Sequence, residues 1–318
     1  MTTSISRRAF MGTATAAAIS LAARPALAQS RPLKMTMNLS CGRIGVNAGQ
    51  VEAIALAKAH GFQSVDPDAG YLAGLTDDAL AGLREQMAQD GIVWAAGGAP
   101  VDFRNDDAAF RAGMETLPAM ARSLQRAGVE RVGTWLMFGS NDLTYSQYGA
   151  LMTTRLREMA DVFGDHGLRF GLEYVGTWSA WTSVQHPWVH TMAETLELID
   201  SIDRSNVGLI LDSWHWYHAL ETTEDIAALK NDQVVAVDLN DGTADMDRKA
   251  MQDTTRELPA ATGVIDVGAF LGALADIDYD GPVRAEPFSA ALNAMDNEDA
   301  VAATAAAMKK AFGNIRSL

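Results

Sequence analysis

Four short apolar segments of this sequence each end in a carboxylate, a group that can hold a divalent cation or move a proton. The segments are RFGLE ending at Glu173, GLILD at Asp212, VVAVD at Asp238 and VRAE at Glu286. Each has the length and the apolar content of a buried parallel strand. Because the carboxyl ends of parallel barrel strands form one face, we expect the four acids to converge there. The pattern predicts a metal-dependent enzyme.

Strand periodicity supports this convergence. Side chains alternate between the two faces of a strand, so each acid shares its face with the residue two positions earlier. Those residues are Gly171, Ile210, Ala236 and Arg284. For a single acid the simpler interpretation is an ion pair or a helix cap, and Asp212 precedes a new segment that it could cap. Four such acids favour a common site, since buried carboxylates are costly unless they are paired or bound to metal.

Strand-like and helix-like segments alternate along the chain without a long linker. Eight strands are predicted, at residues 33–39, 63–66, 93–98, 131–138, 169–174, 207–212, 234–238 and 283–286. Helices are predicted at 49–60, 77–90, 107–127, 145–166, 191–202, 224–229, 267–275 and 298–312. Eightfold strand–helix alternation predicts an α/β fold, a single (β/α)8 TIM barrel.

The N-terminal segment has the features of a twin-arginine signal peptide. Arg7 and Arg8 form the paired motif, an Ala-rich apolar stretch covers residues 12–23, and Ala26-Leu27-Ala28 supplies a cleavage signal. We therefore expect the Tat export machinery to carry the protein and residues 1–28 to be removed. The mature domain, residues 29–318, would then lie in the periplasm. The apolar stretch is too short to span a bilayer comfortably, so no membrane attachment of the mature form is expected.

Charge and cysteine content exclude several classes of partner. The chain has a formal net charge of −15, and removal of a leader that contains only basic charges makes it more acidic still. This field repels phosphate backbones and anionic lipids, so neither nucleic acid nor a membrane surface is expected as a partner. Phosphorylated substrates are disfavoured for the same reason. Cys41 is the single cysteine, which excludes an intramolecular disulfide and favours a small buried apolar role.

Over nearly all of the mature chain, and most densely from residue 171 to 288, the sequence resembles the xylose isomerase-like barrels. This family includes sugar isomerases, ketose 3-epimerases and inosose dehydratases. The segments that carry the resemblance are GLEYV, LILDSWHWYH, VDLND, ELPAATGVID and GPVRAEPF. It implies one divalent metal held by the four strand-end acids, with Glu173 and Glu286 as the acid/base pair. It also implies that His215 contacts a substrate oxygen.

One position of the implied metal shell departs from the family pattern. Where the family has a histidine ligand, this chain has Asp238. A shell made of carboxylates favours a hard cation, Mn²⁺ or Mg²⁺, over Zn²⁺. Alternatively Asp238 is not a ligand, and His218 or His190 completes the shell from a loop.

Substrate contacts are less constrained by the sequence. The arginine with which the family's epimerases bind substrate corresponds to Ala244 here, and Arg248 or Arg256 from the same loop region are its candidate substitutes. Aromatic rings after the fifth strand are candidates for stacking on a sugar. The predicted substrate-binding residues are His218, Trp178, Trp181, Arg256 and Asp241.

Three functions are compatible with these residues. The first is an exported, divalent-metal-dependent isomerase or epimerase that acts through an enediolate on a non-phosphorylated sugar or keto-sugar. An alternative ends the same enediolate in elimination, as in a lyase or dehydratase of keto-sugars or 3-keto-glycosides. The third is a non-catalytic periplasmic sugar-binding protein. In each case the expected partner is a small carbohydrate, and the sequence leaves open whether the protein forms a homo-oligomer.

Overall fold

The computed structural model describes Met1 and residues 32–315, and within that part a ring of short parallel strands lies at the centre. The predicted signal peptide falls outside the described residues, apart from Met1. The central strands are β1 Thr36–Leu39, β2 Ser64–Val65, β3 Val93–Trp94, β4 Ala96–Gly98, β5 Arg131–Trp135, β7 Arg169–Glu173, β9 Val207–Asp212, β10 Val234–Leu239 and β11 Pro282–Ala285. Two further segments, β6 Gly139–Ser140 and β8 His186–Pro187, form a separate antiparallel pair.

The ring has eight strand positions because the third predicted strand is divided at Ala95. Its first half, β3, pairs with β2, and its second half, β4, pairs with β5. From β2 the pairing continues through β1, β11, β10, β9 and β7 to β5, always in parallel. The predicted (β/α)8 barrel is confirmed.

Helices follow the strands and cover the outside of the ring. They are α1 Gln50–His60, α2 Ala69–Ala73, α3 Asp77–Asp90, α4 Asp107–Ala127, α5 Tyr145–Asp165, α6 Trp178–Trp181, α7 Met192–Ile202, α8 Ser213–His218, α9 Thr223–Ala227, α10 Val267–Asp276, α11 Ala290–Asn293 and α12 Asn297–Gly313. The long helices lie where the sequence predicts them, and α1 and α3 end before Gly61 and Gly91, both in the left-handed conformation. Within residues 32–315, no helix is both long enough and apolar enough to cross a membrane.

Most of the apolar core lies between the strands and the helices, while a smaller cluster fills the inside of the ring. This inner cluster contains Ala96, Ile210 and Ala236. A Cβ atom on Gly133 would come within 2.4 Å of Ile210 Cδ1, and one on Gly171 within 2.7 Å of Ile210 Cγ1. Glycine at both positions therefore makes room for Ile210. The inward orientation predicted for Gly171, Ile210 and Ala236 is confirmed, and the barrel interior is packed rather than hollow.

Candidate active site

The four strand-end acids meet at the carboxyl end of the barrel. Glu173 ends β7, Asp212 ends β9, Asp238 lies near the end of β10 and Glu286 directly follows β11; all four are buried. Donor atoms lie within 4.8 Å of one another in two groups that share Glu173. The first group adds Asp212 and His215, and the second adds Asp238 and Glu286. By donor type and spacing, this cluster could bind a metal ion.

Backbone and amide hydrogen bonds hold two of these acids in place. Asp212 Oδ1 accepts the backbone N–H of Trp214 at 2.8 Å and Asn240 Nδ2 at 2.9 Å. Asn240 Oδ1 in turn accepts the backbone N–H of Glu286 at 3.1 Å. Asp212 is thus both the N-cap of α8 and a member of the cluster, so the capping role considered from the sequence accompanies the site instead of replacing it.

A guanidinium group lies among the acids. Arg256 Nη1 donates to Asp212 Oδ2 at 2.8 Å and to Glu286 Oε2 at 2.9 Å, while Nη2 lies 3.4 Å from His215 Nε2. Nη2 also donates to Asp253 Oδ1 at 3.2 Å. Burial alone would lower the pKa of Arg256, but the charges of Asp212, Glu286 and Asp253 outweigh it and raise that pKa, so the guanidinium stays charged.

Two further arginines pair with Asp238 and with the second oxygen of Glu286. Arg284 and Asp238 are register partners on adjacent strands, with Arg284 Nε 2.5 Å from Asp238 Oδ1 and Nη2 2.9 Å from Oδ2. Arg43 Nη1 lies 2.5 Å from Glu286 Oε1. Asp212, Asp238 and Glu286 therefore each have an arginine partner.

Glu173 differs from the other three acids. Among the described residues no lysine or arginine forms an ion pair with it, and His215 Nε2 lies 3.6 Å from Glu173 Oε1. Burial raises the pKa of Glu173 well above its usual value of 4.5, and the charges of Glu286, Asp238 and Asp212 raise it further. A carboxyl group whose pKa is raised by burial and by neighbouring negative charges is a candidate general acid or base.

His215 is held as a neutral imidazole. Its Nδ1 accepts the backbone N–H of Gly176 at 3.3 Å, and its Nε2 lies 3.4 Å from Arg256 Nη2, a group that can only donate. Burial lowers the pKa of His215 well below 6.5, and the charge of Arg256 lowers it further. The Nε2 atom faces the acid cluster, 3.7 Å from Asp212 Oδ2. A neutral imidazole in this position can form a hydrogen bond with a substrate oxygen.

A cavity of about 190 Å³ opens beside Glu173, on the side of the barrel formed by β4 and β5. Its wall includes Arg43, Arg104 and Arg284. Arg104 Nη2 donates to Thr134 Oγ1 and Trp135 O, and its guanidinium lies 4.1 Å from the centre of the Trp135 ring. The cavity is thus bounded by one acid with a raised pKa and by arginines that can bind substrate oxygens.

Asp241, predicted to bind substrate, instead holds the loop that carries Arg256. Its two carboxylate oxygens accept four backbone N–H groups at 2.7–2.9 Å, from Gly242, Thr262, Gly263 and Ile265. Its own backbone pairs with Glu257, next to Arg256. The structure therefore gives Asp241 a positioning role, because its carboxylate is already occupied.

The predicted aromatic contacts and His218 also lie away from the cavity wall. Trp178 is 40% exposed and lies under Lys249, whose Nζ is 4.2 Å from the ring centre. Trp181 stacks on His190 with the ring centres 4.6 Å apart, and His218 packs against Trp214 at 4.4 Å. None of these side chains lines the cavity described above.

Three arginines near the site were not predicted to act there. The sequence could have predicted a role for Arg284, because an arginine that faces inward on a buried strand needs a carboxylate partner. Arg43 lies in a short 3-10 helix after β1, and Arg104 lies in the loop before α4. Neither segment has a pattern that predicts its place at the cavity. By contrast, Arg256 was a candidate and does reach the cluster.

Comparison with known proteins decides the family. The model of the xylose isomerase-like TIM barrel family matches residues 54–311. The chain belongs to this family. It is 25% identical over 250 residues to an inosose isomerase of Bacillus velezensis, covering 76% of this chain and 84% of that protein. It is also 28% identical over 178 residues to a 3-dehydroshikimate dehydratase of Pseudomonas aeruginosa, covering 54% of this chain but only 27% of that protein.

A solved structure extends the comparison. The crystal structure of the IOLI protein, which holds a zinc atom, superimposes with a TM-score of 0.72 over 89% of this chain and all of that protein. The sequences are 21% identical, so this likeness concerns the fold. Together, the family match and these relatives place the chain among xylose isomerase-like barrels that include an inosose isomerase and a 3-dehydroshikimate dehydratase.

Proposed function

We propose that this protein is an isomerase or epimerase that moves a proton at a carbon next to a carbonyl group in a non-phosphorylated sugar or keto-sugar. The observation that carries the proposal is the contrast within the acid cluster: among the described residues Glu173 has no arginine partner, unlike the other three acids, and it borders the cavity beside a neutral His215. The similarity to an inosose isomerase supports a polyhydroxylated ketone as the substrate class.

The residues divide the reaction between them. Ionised Glu173 removes the proton from carbon, and His215 forms a hydrogen bond with the carbonyl oxygen as negative charge develops on it. Arg256, next to His215, adds a fixed positive charge. Glu286 lies three strands away from Glu173 around the ring and is our candidate for the acid that returns the proton.

A dehydratase is the second candidate. Proton removal next to a carbonyl is also the first step of eliminating a β-hydroxyl group, so the same residues serve both outcomes. The similarity to a 3-dehydroshikimate dehydratase favours this alternative, although it covers 27% of that protein. The two outcomes differ in whether the carbanion-like intermediate regains a proton or loses a hydroxyl group.

The divalent ion predicted from the sequence, Mn²⁺ or Mg²⁺, meets an obstacle in this arrangement. The donor types suit a hard cation, and the zinc of the IOLI protein is consistent with a metal in a barrel of this fold. With Arg256 bonded to Asp212 and Glu286, however, the cluster does not fit an ion unless the guanidinium leaves. The proposed proton transfer is therefore assigned to the side chains alone.

The experiment that tests the function is a proton-exchange assay with a panel of keto-sugars and inososes in heavy water. Wild-type protein should exchange the hydrogen next to the carbonyl of its substrate or convert the substrate, and Glu173→Gln should lower that rate by about 10²–10⁴. Glu115→Gln, an exposed change on α4, is the matched control and should leave the rate unchanged. Equal rates for wild type and Glu173→Gln would contradict the proposal, and loss of a hydroxyl group would favour the dehydratase.

We also propose that the protein is exported by the Tat machinery and acts in the periplasm. The support is the order of the paired arginines, apolar stretch and cleavage signal in residues 1–28. Replacing Arg7 and Arg8 with lysine should retain the protein in the cytoplasm of a Tat-competent host, as measured by cell fractionation. Unchanged periplasmic recovery of that variant would contradict Tat export.

A further inference from the structure

Arg256 takes a central position in the acid cluster. Its Nη1 bridges Asp212 Oδ2 and Glu286 Oε2, which lie on strands separated by β10. Asp212 belongs to one of the two potential metal-donor groups and Glu286 belongs to the other. The guanidinium thus joins the two groups through short contacts to oxygen, as a bound cation would.

The position of Arg256 is fixed from several sides. Only 4% of the residue is exposed. Its guanidinium lies 4.6 Å from the centre of the Phe288 ring and 5.4 Å from that of Trp214, and Nη2 donates to Asp253. The carboxylate of Asp241 accepts the backbone N–H of Gly242 before this segment and those of Thr262 and Ile265 after it. Withdrawal of the side chain would break several buried contacts at once.

The charges around Arg256 also oppose a divalent ion. Arg284 pairs with Asp238, and Arg43 pairs with the second oxygen of Glu286. Three acids therefore face three arginines at 2.5–2.9 Å. An added ion of charge +2 would lie within a few Å of these guanidinium groups and would gain little attraction from acids that are already paired.

We propose that Arg256 is the resident cation of this site and takes the place of a divalent metal between Asp212 and Glu286. The wild-type cluster then binds no divalent ion stoichiometrically, and the Arg256 guanidinium supplies the positive charge that polarises the substrate carbonyl. Only this last step rests on the proposed function. The statement about cation binding stands on the contacts of Arg256.

The test is titration with Mn²⁺, followed by the electron paramagnetic resonance signal of the free ion and by calorimetry. Wild-type protein should bind no Mn²⁺ stoichiometrically and should contain no stoichiometric divalent metal by elemental analysis as purified. Arg256→Ala frees two acids of the cluster and should bind one Mn²⁺ per chain at least about tenfold more tightly than wild type, since affinity follows ligand charge. Arg248→Ala removes the same charge from the same loop, but not from the cluster, and should behave as wild type.

One stoichiometric Mn²⁺ in wild type, bound no less tightly than in Arg256→Ala, would overturn the proposal and restore a metal centre. Arg256→Met, which keeps an apolar side chain packed on Phe288, is the second variant if Arg256→Ala does not unfold cooperatively. Elemental analysis of the wild-type protein shows whether it holds a stoichiometric divalent metal, and it needs neither variant. The function is judged separately: absence of proton exchange by wild type with the Mn²⁺ results intact would overturn the proposed function alone.

Discussion

Two sides of the barrel contribute different chemical groups to its carboxyl end. Strands β7, β9, β10 and β11 bring a carboxylate each, whereas the side formed by β4 and β5 brings glycine, alanine and the space of the cavity. Arg104 lies on that second side, where backbone and hydroxyl oxygens hold it. Under the proposed function, proton transfer and substrate binding would be separated across the ring, with Glu173 at the boundary between them.

A second difference lies within the acidic side itself. Asp238 is matched in register by Arg284, so its charge is balanced inside the barrel, whereas among the described residues Glu173 has no ion pair with an arginine or lysine. We infer that Asp238 is chiefly structural and that Glu173 is chiefly chemical. This accounts for aspartate at a position where a histidine ligand was expected, because a histidine has no negative charge to balance the Arg284 guanidinium.

The largest expected effect on stability comes from breaking the Asp238–Arg284 pair. Asp238→Asn leaves the Arg284 guanidinium buried without its counter-charge and should lower the free energy of unfolding by about 3–5 kcal/mol. The double variant Asp238→Leu with Arg284→Met removes both charges and should recover most of that loss. Urea unfolding measures both values. A double variant as unstable as Asp238→Asn would refute the structural role of the pair.

Much of this fold could be predicted because its signals are local. Helix α4, for example, has the predicted bounds, since its cap, its periodicity and Gly128 at its end all lie within one stretch of sequence. The convergence of Glu173, Asp212, Asp238 and Glu286 followed from strand parity and from the rule that barrel strands share one end.

What could not be predicted depends on contacts between distant segments. Arg256 reaches the cluster because Asp241 anchors its loop on residues 262–265, a network without a periodic pattern. Composition suggested that Trp178 and Trp181 face the substrate, but the short helix α6 directs them to Lys249 and His190. The pairing of acids with arginines, which sets the charge of the site, also depends on contacts between distant segments. Arg284 is the exception, because its inward position on a strand could be predicted.

A smaller effect that distinguishes Glu173 from the paired acids is its contribution to the pH dependence of the protein's stability. Because its pKa is raised in the folded state, the folded protein holds this proton more tightly than the unfolded chain does. Its contribution to stability is complete below the ordinary value of 4.5 and is lost as the pH rises through the raised pKa. Glu173→Gln avoids that loss, so it should be more stable than wild type at neutral and alkaline pH, with the difference vanishing near pH 4.

The most direct test of the contrast is therefore the titration of the Glu173 carboxyl group itself. Protein labelled with ¹³C at the glutamate side-chain carboxyl carbon is titrated by NMR, and the Glu173→Gln spectrum identifies the signal. Our account predicts a pKa well above 4.5, together with proton-exchange activity that falls as the pH drops through that same value. A Glu173 carboxyl that titrates at or below 4.5 would contradict the central claim that it is the unpaired acid of the site.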